Sequence, residues 1–137
     1  MGFAESGLTK TNALANKRGV SLHTELVDLN EASWENNKWD EVVCIFGHFQ
    51  SELRKKTLEG VKEAVKPGGY FLAEVYSIHQ LPYNSGGPKD LEFLYTPEEF
   101  MRTFEDWRIV LLFMGEVIRN EGELHKGLSH AIQFAAQ

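Results

Sequence analysis

Cysteine occurs once in the chain, at Cys44, so an internal disulfide framework is excluded. That residue sits inside an apolar run, where a free thiol behaves as a small hydrophobe, and this usage fits a reducing cytoplasm. No apolar stretch approaches the roughly 18 residues that span a bilayer, and no basic region followed by an apolar one opens the sequence. Neither a membrane-embedded nor a secreted protein is expected. Lys and Arg are scattered and the formal net charge is −6, which leaves no electrostatic footprint for a nucleic-acid backbone. Internal repeats and low-complexity tracts are missing. So are a Gly-x-Ser-x-Gly elbow and a phosphate-binding Gly-Lys-Ser/Thr loop, and hydrolase or nucleotidase chemistry is left without residues. His48, His79, His125 and His130 with Cys44 show no tight ligand spacing, and no metal site is expected.

What is present reads as one globular domain over residues 1–137, long enough to bury a core. Ser6 to Arg18 places Leu8, Thr11 and Ala15 about a turn apart, with Ser6 to cap a helix and Gly19 to end it. Ser21 to Leu29 alternates through Leu22, Thr24 and Leu26 as a half-buried strand at a sheet edge would. Val42-Val43-Cys44-Ile45-Phe46 is a continuous apolar run, expected to be a central strand covered on both faces. Ser51 to Val65 carries Leu53, Leu58, Val61 and Val65 on one face of an amphipathic helix, slightly weakened by Gly60. Pro67 then stops the helix and Gly68-Gly69 allows a reversal into a buried strand, Tyr70 to Val75.

Ser77 to Tyr95, punctuated by Pro82 and Ser85-Gly86-Gly87-Pro88, reads as a long surface loop and a candidate substrate lid. Thr96-Pro97-Glu98-Glu99 is the strongest helix start in the chain: a capping threonine, proline at the first helical position and glutamate at the third. Trp107 to Ile118 and Leu128 to Ala135 make an antiparallel strand pair. This order predicts an open α/β sheet, mostly parallel, ending in an antiparallel hairpin. Ligands in such sheets sit beyond the carboxyl ends of the strands, here near Asp28, Phe46 to Phe49 and Val75 to His79.

Lys66-Pro67-Gly68-Gly69-Tyr70-Phe71-Leu72-Ala73-Glu74 resembles the K-P-G-G strand entry of class I S-adenosylmethionine-dependent methyltransferases. Leu26-Val27-Asp28-Leu29, Trp39-Asp40-Glu41-Val42-Val43, Ile45-Phe46-Gly47-His48-Phe49, Tyr95-Thr96-Pro97-Glu98-Glu99 and His125-Lys126-Gly127-Leu128-Ser129 follow in the order of the tellurite-resistance methyltransferase branch. The resemblance implies a Rossmann-like methyltransferase sheet and S-adenosylmethionine as cofactor. It places Asp28 and Leu29 at the adenine and Phe46, Gly47 and His48 beside the methionine part; Tyr76, Tyr83 and Tyr95, which flank the long loop, and His79 are candidates to line a substrate pocket by their position alone. On the residues alone the plainer readings stay open: Asp28 satisfying local backbone amides, Asp40 holding a strand entrance, and the tyrosines covering core. The resemblance begins after the family's first strand and glycine-rich turn, and Gly2 stands where the ribose-binding acid belongs. It therefore implies a fold truncated at its N-terminus, with weak or absent cofactor binding by this chain alone.

Two functions are consistent with that pattern. One is methyl transfer to a small soft nucleophile such as tellurite or a thiol. The other is a catalytically inactive remnant that self-associates or binds a partner. A homodimer is expected, because one side of the Val42 to Phe46 strand lacks its usual neighbour.

Overall fold

The computed structural model describes residues 4–122 and 125–137, and the chain divides into two compact units, 1–33 and 34–137. In the first, α1 (Glu5–Arg18) begins two residues earlier than the capping serine suggests: Ala4 occupies the N-cap and Ser6 lies within the first turn. Its end is as read. Gly19 takes a left-handed conformation with φ of 65°, and the amides of Gly19 and Val20 close back onto Asn16 and Ala15. Ser21 to Leu29 forms no continuous strand, and Leu22 and Leu26 are exposed. Alternation describes which face a strand would bury; it does not by itself supply the ladder that makes one.

The second unit holds β1 (Trp39–Ile45), α2 (Ser51–Ala64), β2 (Val65–Tyr76), α3 (Pro97–Thr103), β3 (Ile109–Asn120) and β4 (Lys126–Ala136). Its sheet runs β1-β2-β4-β3: β1 pairs with β2 in parallel, and β4 lies antiparallel between β2 and β3. This is a mixed α/β sheet with the expected C-terminal antiparallel hairpin. The Pro-Gly-Gly reversal takes an unexpected form. Strand pairing already begins at Val65 opposite Trp39, then jumps to Tyr70 opposite Glu41, so residues 66–69 are a bulge inside β2. Gly68 sits there with φ of 82°, and a Cβ on Gly69 would lie 2.7 Å from the Asp40 carbonyl oxygen.

One face of the sheet carries the core. Phe71, Ala73 and Val75 of β2 and Ile132, Phe134 and Ala136 of β4 alternate inward, beneath Leu58 and Val61 of α2 and Phe100 and Phe104 at α3. The rings interlock: Phe100 and Phe134 centroids are 4.8 Å apart, and Phe71 and Phe104 5.1 Å. Trp34 packs against α2 at Gly60, where a Cβ would come within 2.3 Å of the indole nitrogen. The helix interruption read as a weakness is a seat for this ring. β1 departs from expectation, being an outer strand of this sheet. Val42 and Cys44 pack against the core, whereas Val43 and Ile45 are more than half exposed. An unbroken apolar run shows that both faces tolerate burial, not that both are covered.

Helix α3 starts as the sequence predicts: Thr96 and Glu99 form a reciprocal capping box, with Pro97 at the first helical position. No helix among the described residues is long and apolar enough to cross a membrane.

Candidate functional site

β1 and β2 end side by side, and the chain leaving β1 is held tightly. Phe46 adopts a left-handed backbone, φ 52°, which is uncommon for a residue with a Cβ and turns the chain away from the ladder. Its amide donates to Glu74 O at 2.8 Å. Gly47 follows where no side chain fits: a Cβ would lie 2.7 Å from Cys44 Sγ. The Gly47 carbonyl accepts from Tyr95 Oη at 2.6 Å. Burial drives the Tyr95 hydroxyl far above its ordinary pKa, so it remains a donor.

His48 joins three segments. Its Nδ1 lies 2.8 Å from Phe93 O, an acceptor only, so Nδ1 carries the proton and donates. That leaves Nε2 as the acceptor for the Tyr76 backbone amide at 3.4 Å, a long contact that stands where β1 no longer offers a carbonyl. Burial lowers the His48 pKa, favouring the neutral ring that this arrangement needs. Phe46, His48 and His125 each stack against Tyr76, with centroids at 5.0, 5.4 and 6.4 Å, and Tyr76 Oη meets His125 Nδ1 at 3.0 Å.

A buried cation completes the cluster. Arg119, near the carboxyl end of β3, lies 4.6 Å over the Phe46 ring and 5.7 Å from that of Tyr76. It pairs with Glu74 and, at 3.3 Å, with Glu121, while Glu74 also accepts from Gln133 Nε2 at 3.2 Å. Arg119 Nε is buried without a partner among the described residues. Sequence reading missed both members of the main pair. The available signal was Glu74 itself, a carboxylate near the end of an otherwise apolar buried strand, which calls for a cation.

The Ser77 to Tyr95 segment is pinned rather than free. Gln80, almost fully buried, accepts from the His130 amide at 2.7 Å and donates to Ser85 Oγ and Gly86 O. Ser85 Oγ meets Ser129 Oγ at 2.7 Å, Ser77 Oγ meets His130 Nδ1 at 2.7 Å, and Tyr83 donates to Glu116 at 2.7 Å. A lid made from this segment would have to break a buried network. Arg54 fixes its far end, donating to Phe49 O and Glu92 O while pairing with Glu99 of the capping box. A groove of about 390 Å³ runs beside this pair between α2 and α3.

Of the residues read as site candidates, Phe46, Gly47, His48 and Tyr76 converge at the carboxyl ends of β1 and β2. His79 and Tyr83 belong to the neighbouring polar network, their rings beside His130. Asp28 and Leu29 lie in the 1–33 unit, where Asp28 Oδ1 accepts from the Asn30 amide at 2.9 Å, a local turn. Among the described residues, no group of three or more His, Cys, Asp or Glu is placed to hold a metal ion.

Comparison with known proteins bears on the family and the fold. A family model described as tellurite resistance protein TehB matches residues 3–133. A search of curated protein sequences found no match. Among solved structures, TehB from Haemophilus influenzae superposes with a TM-score of 0.73 at 20% identity, covering 98% of this chain and 47% of that one. A S-adenosylmethionine-dependent methyltransferase from Methanosarcina mazei gives 0.64 at 15% identity, covering 98% and 79%. Another, from Aquifex aeolicus, gives 0.62 at 19%, covering 98% and 64%. These likenesses establish a Rossmann-like methyltransferase fold, of which this chain spans about half the length of the Haemophilus protein. By the match across nearly all of its residues, the chain belongs to the TehB tellurite resistance protein family.

Proposed function

We propose that this chain is a methyltransferase-like protein that uses S-adenosylmethionine and acts on a small soft nucleophile, tellurite or a thiol. The observation that carries this reading is the convergence of Phe46, Gly47, His48 and Tyr76 at the carboxyl ends of a parallel strand pair, the usual ligand position in open α/β sheets. The rings suit the sulfonium end of the cofactor. A guanidinium already lies over Phe46 and close to Tyr76, so these faces accept a cation. Phe46, Gly47 and Tyr76 would hold that end, and the bound cofactor would supply an electrophilic methyl group.

The chain's own contribution is positional. Phe46 and Tyr76 exclude water, the Tyr95 hydroxyl fixes the Gly47 carbonyl, and His48 ties the β1 exit to the loop before α3. Methyl transfer depends on alignment more than on acid or base chemistry, so a cluster whose histidine nitrogens are both engaged is no obstacle. The same engagement favours a second reading, a non-catalytic module that self-associates or binds a partner. Both His48 nitrogens, the Tyr76 hydroxyl and both Arg119 Nη atoms bond within the protein.

Calorimetry and NMR titration with S-adenosylhomocysteine separate the two. The first reading expects weak binding that Phe46→Ala removes, with methyl transfer from labelled S-adenosylmethionine to tellurite or a thiol. Absence of heat and of shifts at millimolar ligand overturns it in favour of the second.

A further inference from the structure

The sheet of residues 34–137 has two outer strands, and they are built differently. β1 is short, and its first turn of pleat carries Asp40 and Glu41. β3 is twelve residues long and contains no proline or lysine, and from Ile109 to Ile118 its only charge is Glu116. No strand among the described residues pairs with its outer side. Val110, Leu111, Phe113, Met114 and Ile118 are exposed, Ile118 at 83%. Outer strands are ordinarily protected by charge, proline, shortness or a bulge. Here the protection is one bulge at the strand's start, between Ile109 and Leu111, and one carboxylate.

We infer that the outer edge of β3 is a homodimer interface, at which the strands of two protomers pair antiparallel about a two-fold axis. The strand is complementary to itself. With the axis at Gly115, Glu116 stands opposite Met114, Phe113 opposite Val117 and Leu112 opposite Ile118, and no like charges face each other. Arg119, turned into its pair with Glu74, adds no exposed charge. A paired segment of nine residues, 111–119, is about 30 Å long, which gives an area below the roughly 800 Å² per partner of a standard interface. The dimer is therefore weak, and its occupancy follows concentration. This inference is independent of whether the chain transfers methyl groups.

Sedimentation velocity of the full chain from about 1 to about 300 μM tests it, since mass action moves a weak dimer through that span. The mass should climb from monomer towards dimer. Ile118→Lys and Phe113→Lys, which face Leu112 and Val117 in this register, should each weaken association at least tenfold, while Val43→Lys on β1 leaves it unchanged. Hydrogen exchange should slow in residues 111–118 as concentration rises. Circular dichroism melts confirm that each variant folds, and Ile118, being so exposed, is safe to replace. A monomer throughout overturns the interface. So does a dimer that survives both β3 lysines, or one lost only with Val43→Lys.

Discussion

Two aromatic clusters occupy the 34–137 unit, and they are stabilised in different ways. Beneath α2 and α3, Phe71, Phe100, Phe104 and Phe134 meet at 4.8 to 6.1 Å and involve no charged group among themselves. At the β1 exit, Phe46, His48, Tyr76 and His125 stack around a buried ion pair, and their planes are fixed by hydrogen bonds from three loops and strands. The first is maintained by volume and apolar area, so its response to mutation follows the size of what is removed. The second is maintained by partners, so its response follows what is left unpaired. Stability resides mainly in the first, and the geometry a ligand would meet resides in the second.

Deleting a ring from the first cluster gives the largest expected effect. Phe134 is nearly fully buried and touches the rings of Phe71, Phe100 and Phe104. Phe134→Ala should cost about 3–5 kcal/mol of unfolding free energy, measured by urea titration, with little change beyond that in the rings at the β1 exit. If the variant loses under about 1 kcal/mol, this cluster is not the core.

The second cluster should break by charge rather than size. Glu74→Gln keeps the volume and an acceptor oxygen but leaves the Arg119 guanidinium, whose side chain is 4% exposed, with the weaker Glu121 pair as its remaining opposite charge among the described residues. Because Glu121 is half exposed and partly compensates, the expected loss is about 2–3 kcal/mol. Adding Arg119→Met should recover most of it, since the buried charge left without its main partner is then removed while the amide at position 74 keeps Gln133 beside it. A double mutant no better than the single would show that the two groups are not coupled. No such rescue is available to Phe134→Ala, and that contrast is what separates the clusters.

Gly60 tests the border of the first cluster with a smaller change. In an exposed helix, Gly→Ala stabilises by about 1 kcal/mol. Here the new methyl would meet the Trp34 indole at 2.3 Å, so Gly60→Ala should instead destabilise by about 1–2 kcal/mol, read from the melting temperature. A gain would mean that Trp34 is free to move aside.

Much of the apolar cluster was legible in the chain. The amphipathic spacing of Leu58 and Val61, the capping box at Thr96 and Glu99, and the apolar runs of β2, β3 and β4 are local patterns with a fixed period, and each led to the right element. The charged cluster was legible where the family resemblance pointed, at Phe46, Gly47 and His48, and at Tyr76 from its place beside the long loop. Arg119 lies 45 residues from Glu74, and nothing local in Val117-Ile118-Arg119 marks that guanidinium as buried. The failures share a cause. Ser21 to Leu29 was read as a strand, and Val42 to Phe46 as covered on both faces. In both cases a residue pattern stated a preference, and the neighbour needed to satisfy it lay elsewhere in the chain.

The smallest expected effect concerns protons. His48 is held neutral because Nδ1–H donates to Phe93 O and Nε2 faces the Tyr76 amide. Burial lowers its pKa, and that of His130, where burial is aided by neighbouring His79. The unfolded chain then binds protons more readily than the folded one, so stability is complete above the ordinary histidine pKa of about 6.5 and declines as pH falls from there through the folded values. Groups around His48 are Arg54, whose charge opposes protonation, and the rings of Phe46, Tyr76 and Tyr95, so among the described residues no carboxylate offsets the loss at that ring. The shifted carboxylates Asp40, Glu92 and Asp106 titrate below this range and leave the histidines to dominate it. Stability between pH 7 and pH 5 should fall by about 1 kcal/mol, with each histidine contributing part of it. His48→Asn should lower stability at pH 7, since one side-chain amide cannot serve both contacts, and should make the decline shallower without abolishing it. A melting temperature that is flat across this range, or equally steep in the variant, would show that His48 accepts its proton freely in the folded protein.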